Sequence, residues 1–391
     1  MARMMMVSSD CHVMARTADY QPYIESKHGG AFEEWVRELP NYWDALPAFF
    51  HEESLSQHNS HASVQSGGEE GYWDFDRRIR ELEADGVVAE VIFPNPGVPF
   101  GAFPLCGSQP NSELSLAGTR AYNRWLADRI SAHPTRHAGI ALITIDDIEK
   151  TVVEIEWARS AGLRGILLPI YMGAWPLYND ERYEPLWSAC AALEMPVHSH
   201  AFPSCNPVGG PGGPSITTHE SLFHTQRPFW CMMLGGVFHR HPDLRFVVTE
   251  AGVEWIPGML AALNIAWTGH PTQEFTKHIR LKPQVSGLTP TEIWNRQCWA
   301  GASFMPRAET EMRHEIGIDR VMWGSDYPHV EGTWPHTRKF LNQAFIGLPE
   351  SEVRRMVGEN AVECYGFDRA ELKSIAERVG PEATAFAIET L

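Results

Sequence analysis

Asp10 and His12 stand two residues apart at the end of one apolar run, and His198 and His200 repeat that spacing at the end of another. Residues i and i+2 of an extended chain project to the same side. Each pair therefore offers two ligating or acid–base groups in one direction. Two more apolar runs stop on carboxylates: "RFVVTE" ends on Glu250 and "VMWGSD" on Asp326. A charged group left unpaired at the end of a buried strand is costly, so four such endings ask for a common partner. Imidazoles and carboxylates brought to one point are the donor set of a catalytic metal that keeps positions open for water and substrate. Zinc, manganese and iron all accept these donors. Each fragment alone has a plainer reading. Asp326 lies in Gly-Ser-Asp-Tyr-Pro, a string of turn formers. The plainer reading of Glu250 is a structural partner of Arg240 or Arg245.

The elements that would carry these residues come from eight short runs of β-branched and apolar residues, at 4–12, 87–95, 137–145, 163–171, 196–200, 245–252, 296–304 and 320–328. Helical text lies between most of them. Segment 74–86 opens on Asp and closes on Gly, and 146–162 opens acidic and also closes on Gly, as helix start and stop signals require. Segments 111–134, 180–195, 229–244 and 306–317 read as further helices. Continuous apolar strands alternating with helices indicate a parallel sheet covered on both faces. Eight such units predict an α/β fold, a distorted (β/α)8 TIM barrel, in which all C-terminal strand ends meet at one mouth. An open doubly wound sheet is the alternative, and no G-x-G-x-x-G follows the first strand to support it. The whole chain, 1–391, reads as one domain. A long insertion at 13–73, holding His28, His51, His58 and His61, is expected over the mouth as a lid. A Gly/Pro-rich insertion at 205–221 follows strand five, and 367–391 reads as a peripheral C-terminal helix.

The 391 residues carry a formal charge of −17 without a basic block, which argues against nucleic acid and anionic membrane surfaces as partners. No apolar run reaches the length of a membrane span. Seven cysteines, scattered and without a CxxC, read as reduced thiols of a cytoplasmic protein.

With these motifs in hand, the chain resembles the amidohydrolase superfamily. The order is D-x-H at residues 10–12, then P-x-x-x-H at residues 196–200, then "GSDYPH" at 324–329. The branch it is most similar to is that of aminocarboxymuconate-semialdehyde decarboxylase and the γ-resorcylate decarboxylases, through "GGVFHRHPDLRFVVTEAGVEWIP" and "ELEADGVVAEVIFPN". The resemblance implies one divalent metal, zinc first and manganese or iron next, held by Asp10, His12, His200 and Asp326. It implies Asp326 as the base that takes the proton of an attacking water. His198 would orient His200 or touch substrate. The run at 163–171 has Arg164 and no Lys, which leaves out the carboxylated lysine that bridges two metals in many members. The decarboxylases carry a histidine after strand six where this chain has Glu250, so Glu250 stands as a general base or ligand. His329, Trp175 and His224 are the candidates for substrate contact, and a homodimer is expected from the resemblance.

The function expected from these residues is hydrolysis of a small cyclic or aromatic, carboxylated molecule by a metal-activated water. The alternative is a non-oxidative, metal-dependent decarboxylase of an aromatic or muconate-like acid. A third reading is a barrel that has lost catalysis and serves in binding.

Overall fold

The computed structural model describes residues 3–39, 61–65, 67–101, 113–202, 208–268 and 287–383. Eight strands form at the eight apolar runs: β1 (Met6–Val13), β2 (Val87–Pro94), β3 (His137–Leu142), β4 (Gly165–Leu167), β5 (Val197–His200), β6 (Phe246–Thr249), β7 (Cys298–Ser303) and β8 (Val321–Gly324). They pair in chain order, each parallel to the next. Every strand residue is buried, as a sheet filled inside and covered outside requires. β8 returns to β1 at the mouth, where Asp326 N–H donates to Asp10 O and His12 N–H to Tyr327 O, both at 2.8 Å. The fold is a (β/α)8 barrel.

β1 is irregular. Ser8 pairs with Glu90 and Cys11 with Ile92, so Ser9 and Asp10 together oppose Val91. An extra residue of this kind bends a strand and re-aims side chains, and it recurs beside active sites. Gly324 on β8 makes room for the result, since a Cβ there would lie 2.6 Å from Asp10 Cβ.

Helices begin where the sequence places start signals. Asp74 caps Phe75–Ala84 through Arg77 N–H at 2.9 Å, and Asp147 caps Ile148–Ser160 through Lys150 N–H at 3.1 Å. Two expectations are revised. A continuous helix, Gly213–Leu234, takes up the second half of the region read as a Gly/Pro-rich insertion. Pro214 sits in its first turn, where a missing N–H leaves no hydrogen bond unmade. The text at 306–317 forms two short helices, Arg307–Glu311 and Arg313–Ile316.

In the insertion after β1, turns of 3-10 helix cover Thr17–Tyr23, Ser26–His28 and Gly68–Tyr72, and a helix covers Gly29–Glu38. Its central part, with His51 and His58, lies outside the described residues. The described end comes back to the mouth, where Met14 N–H donates to Tyr72 O at 3.2 Å. Near the C-terminus, Asp368 caps the helix Arg369–Val379, which buries Leu372 and Ala376. Among the described residues, five cysteines are free and buried, and Cys106 and Cys205 lie outside them. No helix among the described residues is long and apolar enough to cross a membrane.

Candidate metal centre

Four strand ends deliver polar groups to one point at the barrel mouth. β1 supplies Asp10 and His12, β5 supplies His200, and the residues just past β6 and β8 are Glu250 and Asp326. Asp10 Oδ1 lies 3.4 Å from His12 Nε2 and 3.1 Å from His200 Nε2. His12 Nε2 is 3.1 Å from Asp326 Oδ1, and His200 Nδ1 is 3.4 Å from Glu250 Oε2. Asp10, His12, His200 and Asp326 are fully buried, and the Glu250 side chain is 20% exposed. Ligand atoms of Asp10, His12, His200 and Glu250 fall within 4.8 Å of one another, and so do those of His12, Asp326 and His329. Glu250 and Asp326 have φ of 55° and 58°. That left-handed backbone is unfavourable for a side-chain-bearing residue and is characteristic of functional sites. Here it turns the chain as each strand leaves the barrel.

The hydrogen bonds around the two imidazoles call for a cation. His12 Nδ1 lies 3.2 Å from Pro94 O, and His200 Nδ1 lies 2.7 Å from Ala201 O. A carbonyl oxygen only accepts, so both Nδ1 atoms carry hydrogen. The Nε2 lone pairs of the neutral rings then point at the carboxylates of Asp10 and Asp326. His12 Nε2 and Asp326 Oδ1 are buried without a hydrogen-bond partner. Such a site needs positive charge, from a proton on the ring or from a metal ion, and metal-binding histidines anchor their other nitrogen in this same way.

Titration shows the same crowding of negative charge. Burial opposes charge on His12, but hydrogen bonds and charge from Asp10 and Asp326 outweigh it and lift the ring well above its ordinary pKa. Burial pushes the Asp10 carboxyl up, and His200 and His12 together bring it far below the usual carboxylate range. Burial raises Glu250 well above its ordinary value, and the charges of Asp326 and Asp10 add to the rise. The donors present fit a divalent metal.

His329 joins this cluster from the loop after β8. Its Nδ1 is 3.0 Å from Asp326 Oδ2, and its ring lies on that of His12 with centroids 4.1 Å apart. His198 is placed elsewhere, one pleat deeper in the barrel. Its Nδ1 donates to Ile166 O at 2.9 Å, its Nε2 accepts from Tyr365 O–H at 3.0 Å, and burial lowers its pKa to about 3. Gly165 leaves room for the ring, because a Cβ there would meet His198 Cε1 at 2.6 Å. His224 packs against Tyr171 at 4.7 Å, and Tyr171 O–H reaches Phe202 O at 3.4 Å. Phe202 in turn stacks on His200 at 4.6 Å, so His224 stands behind an aromatic wall. The Trp175 indole donates to Asp146 at 3.0 Å, joining the loops after β3 and β4. Arg240 pairs with Glu184 and Arg245 donates to Cys364 O, so neither arginine takes up Glu250.

Three residues at the mouth carry no signal of charge in the sequence. Ser303, at the end of β7, donates its hydroxyl to Asp10 Oδ2. Asn95, just past β2, contacts His329 Nε2 through Oδ1 at 3.2 Å. Phe93 lies 4.5 Å from the His200 ring. All three occupy the strand-end positions that hold ligands on β1, β5 and β8, and that shared position is the signal that would have found them.

The amidohydrolase family model matches residues 109–367. A γ-resorcylate decarboxylase of Rhodococcus jostii is 25% identical over 285 residues, 68% of this chain and 82% of the relative. The 2-amino-3-carboxymuconate-6-semialdehyde decarboxylase of Dictyostelium discoideum is 24% identical over 300 residues, 76% of this chain and 77% of the relative. Among solved structures, a dihydroxybenzoic acid decarboxylase of a Polaromonas species, with bound manganese and the inhibitor 2-nitroresorcinol, aligns with a TM-score of 0.61. It shares 17% identity, with 94% of this chain and 98% of that one covered.

Proposed function

We propose that this chain, which belongs to the amidohydrolase family, is a metal-dependent, non-oxidative decarboxylase of an aromatic carboxylic acid. This places the carbon–carbon lyase reading above the hydrolase reading, because the named relatives are decarboxylases. The observation that carries the reading is the pair of imidazoles whose Nδ1 atoms are fixed on backbone carbonyls while both Nε2 atoms face buried carboxylates.

Asp10, His12, His200 and Asp326 would hold the ion, with Glu250 beside His200. Manganese is the ion expected, as in the Polaromonas relative; zinc and iron suit the same donors. When bound, the ion supplies positive charge that orients the oxygens of an aromatic acid and offsets their negative charge. Phe93 and Phe202, both packed on His200, provide apolar faces for a ring. Asp326, with His329 Nδ1 3.0 Å from its Oδ2, is the group placed to pass a proton to the substrate. Delivery forms a carbon–hydrogen bond at the ring carbon that bears the carboxylate. The bond to the carboxylate then breaks, its electron pair returns to the ring, and carbon dioxide leaves. Residues 13–73 would serve as the lid that keeps bulk water from the mouth.

The test is a panel of hydroxybenzoates, together with amides and lactones, given to metal-loaded protein, with carbon dioxide measured apart from hydrolysis products. Carbon dioxide release from a hydroxybenzoate without hydrolysis is expected. Hydrolysis of an amide or lactone with no carbon dioxide from any acid would overturn the reading.

A further inference from the structure

The helix Phe75–Ala84 turns Phe75, Arg78 and Leu82 to the interior, so a guanidinium stands on a face that is otherwise apolar. Arg78 is fully buried, and each of its three nitrogens donates. Nε and Nη2 reach the two oxygens of Glu90 on β2, each at 2.6 Å. Nη1 donates to His12 O and to Gly71 O, both at 2.8 Å. The guanidinium carbon lies 4.8 Å from the centre of the Tyr327 ring. Apolar side chains of similar volume are often as stabilising as a buried ion pair, so stability alone does not account for this one. Its two remaining bonds are more telling. One carbonyl belongs to a metal-site histidine and the other to the arm Gly68–Tyr72, by which the insertion returns to the mouth.

That arm is closely seated. A Cβ on Gly71 would fall on the Tyr327 hydroxyl and lie 2.6 Å from Cζ. The Tyr72 ring lies 6.0 Å from that of His329. His12 is held from both sides of its own residue, its N–H by Tyr327 O at 2.8 Å and its carbonyl by Arg78.

We infer that Arg78 is a positioning residue that couples the returning arm to the metal centre. The nitrogen that seats Gly71 also fixes the backbone of His12, and the face of the same guanidinium supports the ring that follows Asp326. When the arm leaves, Nη1 loses one of its two acceptors, and Tyr327 loses the backbone packed against its hydroxyl. An ion that needs His12 and Asp326 in place therefore favours the seated arm. The seated arm favours the ion by the same factor, as linkage requires. The inference rests on the metal centre and is independent of which reaction the centre performs.

Hydrogen exchange read by mass spectrometry on the full chain, with and without manganese, tests the coupling apart from turnover. The helix Arg369–Val379 serves as the reference for general stabilisation by the ion. Manganese should slow exchange in residues 67–73 about 10- to 100-fold more than in the reference, the span found for groups that stand behind a metal ligand. Arg78→Lys keeps a charge for Glu90 but lacks the planar fork. Its Kd for manganese should rise by the same factor, and the extra protection of the arm should vanish. Gly71→Ala, with Arg78 intact, should have both effects by lifting the arm off Tyr327, and it carries the test if the lysine variant does not fold. The inference is overturned if manganese protects the arm no more than the reference. It is also overturned if a folded Arg78→Lys or Gly71→Ala binds manganese with the wild-type Kd. Wild-type protein that takes up neither manganese nor zinc would instead remove the metal centre itself, and the coupling with it.

Discussion

Asp326 Oδ1 lies 3.1 Å from His12 Nε2 and 2.9 Å from His329 Nδ1, which is also 3.0 Å from Oδ2, so one carboxylate joins the metal-binding face of the mouth to a second imidazole. Asp326→Asn keeps the volume and removes both the charge and the capacity to release a proton. Its turnover should fall by about 10²- to 10⁴-fold, the span of general acid–base catalysis, with the fold unchanged by circular dichroism. Full turnover in this variant would rule the role out. A second carboxyl, away from the metal, governs stability. Glu309, on the helix after β7, is pushed up from 4.5 to about 7, first by burial and then by the charge of Glu254, although a backbone hydrogen bond at Val253 pulls the other way. Between those two values the folded chain binds more protons than the unfolded chain, so stability is fully present below pH 4.5 and declines as pH rises through about 7. The decline should amount to roughly 3 kcal/mol, at 1.36 kcal/mol for each pKa unit. Denaturant titrations of Glu309→Gln across this window should show a flatter profile than the wild type. An identical profile would place the pH dependence elsewhere.

At the scale of elements, the bulge in β1 and the glycine in β8 form one device, because Asp10 leans into the space that Gly324 leaves empty. Gly324→Ala should cost about 1–3 kcal/mol through overpacking, and it should weaken metal binding because Asp10 must move. Calorimetry and a metal-binding titration measure the two effects, and a variant matching the wild type in both would show that the seam is slack. The strands themselves were readable in the sequence, since a barrel strand buried on both faces leaves an uninterrupted apolar run. The ligand positions were readable because D-x-H and H-x-H put paired groups on one face. Depth was not. His198 shares its face with His200, yet two residues along a strand is about 7 Å, and that step puts His198 against Tyr365 instead of the mouth. Asn95 and Ser303 escaped because uncharged polar residues end strands everywhere, and only the fold shows that these two end at the cluster. The start of the helix from Gly213 was hidden by glycines and a proline, which were read as an insertion.

Over the whole molecule, the centre is assembled from residues that the unfolded chain scatters from Asp10 to Asp326. Only the folded barrel gathers Asp10, Asp326 and Glu250 with two lone-pair-bearing imidazoles, in a chain whose formal charge is already −17. A divalent ion that binds this arrangement and not the unfolded chain stabilises the fold by RT ln(1 + [M]/Kd), or ~2.7 kcal/mol at a concentration one hundred times Kd. For a chain of this length that is a rise in Tm of about 3 °C. Removing the ion with a chelator should therefore lower Tm by at least this much and abolish turnover, and manganese should restore both. His200→Ala should show the lowered Tm from the outset and gain little from added manganese, because one of its donors is gone. If chelation leaves both Tm and turnover untouched, the convergence of imidazole and carboxylate at the mouth is a structural ion-pair cluster, and the catalytic centre lies elsewhere in the barrel.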